Sequence, residues 1–405
     1  MAKNLYYDVV IAGCGVGGLY TALNLPPEMN ILMLCKEDMA SCDSMLAQGG
    51  ICVLHDEQDY DAFFEDTMKA GHYENRKESV DIMIRSSRKI IDHLLELGVR
   101  FDKNPDGSLQ YTKEGAHSRP RICFHKDITG EEITTKLQEH VLALPNVTIM
   151  EYTTMNDILI TNGQCTGMTA QTSADETLYI HAHDTVMATG GIGGLYEHST
   201  NYPCLTGDAL EIAKKHGIEL EHPDYVQIHP TSLYSEKPGR SFLISESARG
   251  EGAVLLNHQG KRFVDELLPR DVVSQAIQQE MEKEGTKHVW LSFAAVPEDT
   301  IRRHFPHIYE KCLEEGYDIT KEPIPVVPAQ HYFMGGVHVD SHSETTMTHL
   351  YAVGETSCNG VHGRNRLASN SLLESLVFAK RAADHITNSR KGMKNDESNF
   401  YAACC

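Results

Sequence analysis

Three kinds of residue in this 405-residue chain could do chemistry by type and spacing. The first is a glycine run near the start, Gly13-Cys14-Gly15-Val16-Gly17-Gly18, spaced GxGxxG. Such a loop presents bare backbone N–H groups and a helix N-terminus to a diphosphate, where the helix dipole favours negative charge. In it Gly13 allows the tight turn, Gly15 the close approach of the ligand, and Gly18 close helix–strand packing. The second kind is histidine, of which there are 22. Any one of these, taken alone, is more simply a surface or satisfied core residue. The third is cysteine, with 11 copies, none spaced CxxC and none forming a CxxC…HxxxH set, so no metal site is expected. Cys404-Cys405 reads as an incidental vicinal pair.

The glycine loop needs a strand before it and a helix after it, and both are legible. Tyr7-Asp8-Val9-Val10-Ile11-Ala12 is a β-branched apolar run suited to a buried parallel strand. The helical pattern Leu19 to Leu25 follows, ended by Pro26-Pro27, and Ile31-Leu32-Met33-Leu34-Cys35 completes a βαβ unit. The acid that usually ends that second strand is replaced by Lys36, with Glu37 and Asp38 behind it. Lys36 could engage a ribose or a phosphate, or belong to a solvated charge cluster.

Apolar spacing is helical from Tyr60 to Arg100. Another helix opens near Thr129, with Thr129 as N-cap and Glu132 as its capping-box partner. A buried strand from Asp184 to Ala188 ends in Gly190-Gly191, which suits backbone passing close to a flat cofactor. The block 221–334 is richer in His, Pro and turn residues and reads as an inserted domain. A strand–glycine pattern returns at Leu350–Gly354, and a final helix spans Ser369 to Ala383. The expected class is α/β, with a dinucleotide-binding domain in two parts, 1–220 and 335–405, around the insertion.

The charge balance is 36 Lys+Arg against 57 Asp+Glu, a net −21. A surface this acidic repels phosphate backbones, so nucleic-acid binding is not expected. No window approaches the ~20 apolar residues of a membrane span, and the N-terminus shows no signal-peptide pattern. Eleven cysteines in that setting suggest reduced thiols in a cytoplasmic protein.

Five segments carry a resemblance. Ala47-Gln48-Gly49-Gly50-Ile51, Ala188-Thr189-Gly190-Gly191-Ile192-Gly193-Gly194, Gln227-Ile228-His229-Pro230-Thr231, Arg249-Gly250-Glu251-Gly252-Ala253 and Leu367-Ala368-Ser369-Asn370-Ser371-Leu372-Leu373-Glu374 occur in that order. Together they resemble the flavoprotein family of succinate dehydrogenase, fumarate reductase and L-aspartate oxidase, over about residues 7–385. That resemblance implies a Rossmann-like FAD-binding domain with an inserted α+β capping domain. Two features lean toward the oxidase branch. Where covalent family members carry a flavin-linking histidine, this chain has Asp43, which implies non-covalent FAD. Lys113-Glu114-Gly115-Ala116-His117-Ser118 is similar to the oxidase's EGxHS segment, whose glutamate is thought to face the substrate ammonium. Three departures are visible. Ser245 stands where threonine is usual, Arg364 where alanine is usual, and the oxidase commonly continues into a further C-terminal helical domain.

By the same resemblance, His229 and Ser245 hold one substrate carboxylate while His331 and Arg366 hold the other. Arginine suits this work because its planar fork can grip a carboxylate bidentately. Arg270 matches the family's proposed proton shuttle, working through a carboxylate such as Glu246 or supplying charge alone. The bland alternative is a helix-start ion pair with Asp271. FAD contacts carry over to Gly13, Cys14, Gly15, Val16, Gly17, Gly18, Lys36, Ser44, Ala47, Gln48, Gly49, Gly50, Asp208, Glu355, Ser371 and Leu372. The implied reaction is oxidation of L-aspartate to iminoaspartate, with O2 or fumarate reoxidising the flavin. Its product would pass to quinolinate synthase, opening NAD biosynthesis. The rivals are a soluble fumarate reductase with non-covalent FAD, for which Glu114 would be useless, and a flavin-bound scaffold without turnover.

Overall fold

The computed structural model describes residues 3–237 and 239–403, with backbone alone from 391 onward, so Cys404-Cys405 lies outside the described residues. Its organising element is a sheet built on β1 (Lys3–Ala12), which is followed by α1 (Val16–Asn24) and β2 (Ile31–Leu34). β1 pairs in parallel with β2 on one side and with the strand Thr177–Met187 on the other. Val147–Met150 extends the sheet beyond β2, and Leu350–Ala352 pairs in parallel with Thr177–Met187. Gln164–Thr172 and Thr153–Thr161 add antiparallel strands.

Strand period explains why the Val9–Ala12 run is apolar throughout. Val9 and Ile11 point into one core, shared with α1 and the last helix, while Val10 and Ala12 point into a second core on the opposite face.

Two helical expectations change. The stretch 60–100 is two helices, Tyr60–Ala70 and Lys77–Glu96. Between them His72 and Tyr73 adopt positive φ of 58° and 61°. The break is pinned from afar, because Asn75 donates to the Val361 carbonyl at 2.8 Å and the Arg76 N–H to that of Gly360 at 2.7 Å. The helix Thr129–Leu142 has Ile128 at its N-cap and no side-chain cap. The Thr129 hydroxyl instead accepts from the His125 N–H and donates to the Gly49 carbonyl, and Glu132 pairs with Arg100. Thr129 therefore ties down the Gly49-Gly50 loop rather than its own helix end. The last helix, Ser371–Ala403, is longer than its apolar pattern predicts.

A second sheet runs Phe242–Leu243, Val226–Leu233, Ile324–Phe333, Val289–Ser292, Val254–Leu256, all antiparallel. It has its own core, in which Val273 and Ile277 of the helix Arg270–Glu284 pack with Leu255, Val289 and Leu291. The two longest strands of this sheet, Val226–Leu233 and Ile324–Phe333, are antiparallel neighbours, which brings residues nearly a hundred positions apart side by side.

The expectation of reduced thiols is corrected at one pair. Cys14 and Cys35 are joined by a disulfide, with Cα atoms 5.8 Å apart. Parallel pairing of β1 with β2 sets the two strand ends side by side, and both side chains enter the same core. The other seven described cysteines are free. Among the described residues, no helix is long and apolar enough to cross a membrane.

Candidate active site

One long cleft runs from the end of β1 to the second sheet. It is lined by Gly13, Cys14, Gly15, Val16, Gly17, Lys36, Ser44, Ala47, Gln48, Gly49, Gly50, Asp208, Glu355, Ser371 and Leu372. Gly18 is the exception among the expected contacts. A Cβ there would lie 2.1 Å from the Gly13 carbonyl oxygen, so Gly18 serves helix–strand packing and stays off the cleft wall. Gly13 has φ +117°, and a Cβ on it would lie 1.9 Å from the Ala188 oxygen. No other residue fits that turn.

Lys36 donates to Asp208 at 2.9 Å and to Thr206 at 2.8 Å, a bridge across the cleft's outer end. The Ser44 hydroxyl accepts from the Val16 N–H at 3.1 Å. Gln48 gives its amide to the Leu243 carbonyl at 2.8 Å, and its buried Oε1 has no partner among the described residues. Asp43 accepts from the Tyr202 N–H at 2.9 Å, with its other oxygen sealed from solvent and without a partner among the described residues. Two helix N-termini, at Val16 and Ser371, border the cleft. Bare glycine backbone, helix N-termini and an unanswered amide oxygen form a cradle that fits FAD.

The inner end of the cleft gathers groups from the second sheet, from two helix starts and from loops. His229 stands in the strand Val226–Leu233 and His331 in Ile324–Phe333, with ring centroids 5.1 Å apart. His331 Nδ1 bonds Thr200 Oγ1 at 2.8 Å. His229 Nδ1 lies 3.2 Å from the Thr231 backbone, and its Nε2 has no partner among the described residues. Desolvation, then the charge of Arg270, holds both imidazoles well below their ordinary pKa, so they are neutral donors or acceptors.

Arg366 is buried, with its guanidinium 4.4 Å from the Tyr332 ring centre, one N–H given to Ser371 at 2.8 Å and its Nε without a partner among the described residues. Burial and Arg270 lower its pKa to about 10, which still leaves it charged. Ser245 caps the short helix Glu246–Gly250 beside them. Two guanidiniums, two neutral imidazoles and a hydroxyl in a desolvated cleft suit a compact dianion.

Arg270 donates from Nε to Glu246 at 2.6 Å and from a terminal nitrogen to Gln227 at 2.8 Å. The alternative partner, Asp271, pairs instead with His72. The Gln227 amide in turn holds the Asn365 side chain and the Arg366 carbonyl. Burial works against ionisation of Glu246, but Arg270 and Arg249 together hold it below the usual carboxylate range. Glu114 is buried too, and is raised above that range by burial and by neighbouring Glu246. Its oxygens accept from Ser247 at 2.9 Å and Ser369 at 2.5 Å.

Gln227, Thr200, Arg249, Tyr332, Ser247 and Ser369 were not among the expected site residues. Gln227, Arg249 and Ser369 sit inside the segments that carried the resemblance, the only signal available, and Ser247 lies two positions before one of them, while Thr200 and Tyr332 lie outside. Arg364 does not reach the cleft. Its side chain is 63% exposed and stands 3.9 Å from Glu74.

A family model described as an FAD binding domain matches residues 8–372. The chain is 50% identical to L-aspartate oxidase of Clostridium perfringens over 382 residues, spanning 94% of this chain and 87% of that one. It is 48% identical to L-aspartate oxidase of Clostridium acetobutylicum, covering 98% and 91%. The fold also matches the FrdA chain of E. coli quinol fumarate reductase, with a TM-score of 0.89, 32% identity, and coverage of 95% and 70%. A shared FAD-binding fold alone does not require identity at half of all positions over nine-tenths of the chain, so this protein belongs to the L-aspartate oxidase family of FAD-binding flavoproteins.

Proposed function

We propose that the chain oxidises L-aspartate to iminoaspartate with non-covalently held FAD, using O2 or fumarate as electron acceptor, in the cytoplasm. Iminoaspartate would then feed quinolinate synthase and NAD biosynthesis. Residues 221–334 act as the cap over the FAD-binding parts 1–220 and 335–405. The observation that carries this reading is a carboxylate, Glu114, placed in the same cleft as a clamp built for a dianion. Two carboxylates and an ammonium on one small molecule answer both features, and succinate or fumarate answers only one.

In this arrangement His229 and Ser245 hold one substrate carboxylate, and His331 and Arg366 hold the other. Glu114 accepts from the ammonium, which fixes the orientation of Cα. Arg270 supplies positive charge beside the reacting carbon. Arg270 stays protonated and holds Glu246, one hydrogen bond away at 2.6 Å, as a carboxylate able to take the proton that the substrate amine gives up. FAD, when bound, supplies the hydride acceptor.

The test is anaerobic mixing of purified yellow holoenzyme with L-aspartate, with succinate in parallel. Bleaching by L-aspartate alone, with colour restored by fumarate or air, is the expected result. No bleaching by L-aspartate, together with fumarate reoxidation of dithionite-reduced flavin, would make the protein a fumarate reductase.

A further inference from the structure

Glu114 can read an ammonium only as a carboxylate, and its surroundings pull both ways. Burial and the like charge of Glu246 favour the protonated acid. Against them stand the hydroxyls of Ser369 and Ser247 and the charge of Arg270. The other ionisable groups facing it are Arg249 on the short helix, Arg366 before the last helix, and Cys52 on the strand Ile51–Cys52. His117, in its own segment, is held neutral by burial and Arg121, with a pKa near 4.

The two serines differ in how they are wired. Ser369 lies in the segment leading to the FAD-facing helix and reaches Glu114 Oε2. Ser247 reaches Oε1 at 2.9 Å and is joined to Ser245, whose hydroxyl stands 3.2 Å from both the Ser247 N–H and its Oγ. A chain of hydroxyls thus runs from the carboxylate clamp at Ser245, through Ser247, to the ammonium reader. Each hydroxyl donating to the next polarises the bond that follows, which strengthens donation to the terminal carboxylate.

We propose that Ser247 is a specificity-determining positioning residue, holding Glu114 ionised and aimed so that the site separates a 2-amino dicarboxylate from its analogue without the amine. This rests on the ammonium role given to Glu114 above. Ser247 touches neither substrate nor cofactor in this role, and it acts through Glu114 alone.

The experiment compares parent holoenzyme with Ser247→Ala, Ser247→Thr and Glu114→Gln. It measures kcat/KM for L-aspartate and Kd for succinate, the latter from the flavin spectrum, across pH 6 to 9. Loss of one hydrogen bond to a charged group predicts that Ser247→Ala raises KM for L-aspartate about tenfold. Succinate affinity should hold within about twofold. The acid limb of kcat/KM should move to higher pH, because Glu114 without that donor needs a higher pH to ionise. Ser247→Thr keeps the hydroxyl and should restore both. If Glu114→Gln collapses the preference for L-aspartate over succinate while Ser247→Ala changes neither preference nor acid limb, the serine proposal is overturned alone. If Glu114→Gln leaves the preference intact, the ammonium role falls and the proposal with it.

Discussion

Asp43, the residue from which a non-covalent flavin was expected, has surroundings that make a quantitative demand. The residue borders the cleft, but one carboxylate oxygen is sealed without a partner among the described residues while the other accepts from the Tyr202 N–H. Burial pushes its pKa up to about 7, against that bond and the pull of Arg240. Between pH 4 and 7 the folded protein therefore keeps a proton that the unfolded chain releases, so stability falls as pH rises through that interval and levels off above it. At 1.36 kcal/mol per pH unit, the cost of keeping this acid approaches about 4 kcal/mol above pH 7. Asp43→Asn is uncharged at every pH and keeps the acceptor for Tyr202. Urea unfolding of the two holoenzymes, followed by far-UV circular dichroism, should show the variant gaining on the parent by about 2–3 kcal/mol between pH 5 and pH 8. Glu355, pushed up to about 8 by burial and by the charge of Asp43, should also ionise more easily in the variant. A stability gap that is the same at both pH values would refute the reasoning.

Two further predictions follow from named contacts. Arg366→Lys keeps the charge but loses the fork and the bond to Ser371. It should lower kcat/KM for L-aspartate roughly 10–100-fold and weaken succinate by a similar factor, and an unchanged succinate Kd would remove Arg366 from the clamp. The Cys14–Cys35 bond closes a loop of 21 residues in sequence separation. In chain-entropy terms that is about 3 kcal/mol, so dithiothreitol should lower the urea midpoint of the parent and leave Cys14→Ser unaffected. Recovery of all eleven cysteines as free thiols after unfolding without reductant would rule the bond out.

The parts legible in the sequence were those whose physics is local. A strand, a glycine loop and a helix follow one another within the first 35 residues, and each announces itself through period and residue type. The helix break at His72 and Tyr73 was not legible, because Asn75 and Arg76 are fixed by backbone nearly three hundred residues away. Thr129 looked like a cap for the same reason in reverse. Its hydroxyl had a helix start beside it in sequence, but a better-placed Gly49 carbonyl in space. Ser247 is an unremarkable serine until the fold sets it against Glu114, 133 positions earlier. Arg364 is only two positions from Arg366, but the turn at Gly363-Arg364 leaves its side chain exposed beside Glu74.

By itself the amino-acid order carried the strand, glycine loop and helix that open the chain, and its segments carried the family. Only the tertiary structure decided which charges meet. Arg270 chose Glu246 over adjacent Asp271, Cys14 met Cys35, and Glu114 came to share a cleft with two guanidiniums. The division has one physical cause. Backbone conformation and apolar periodicity are set by near neighbours, whereas Coulomb and hydrogen-bond energies depend on distance and burial in the folded chain.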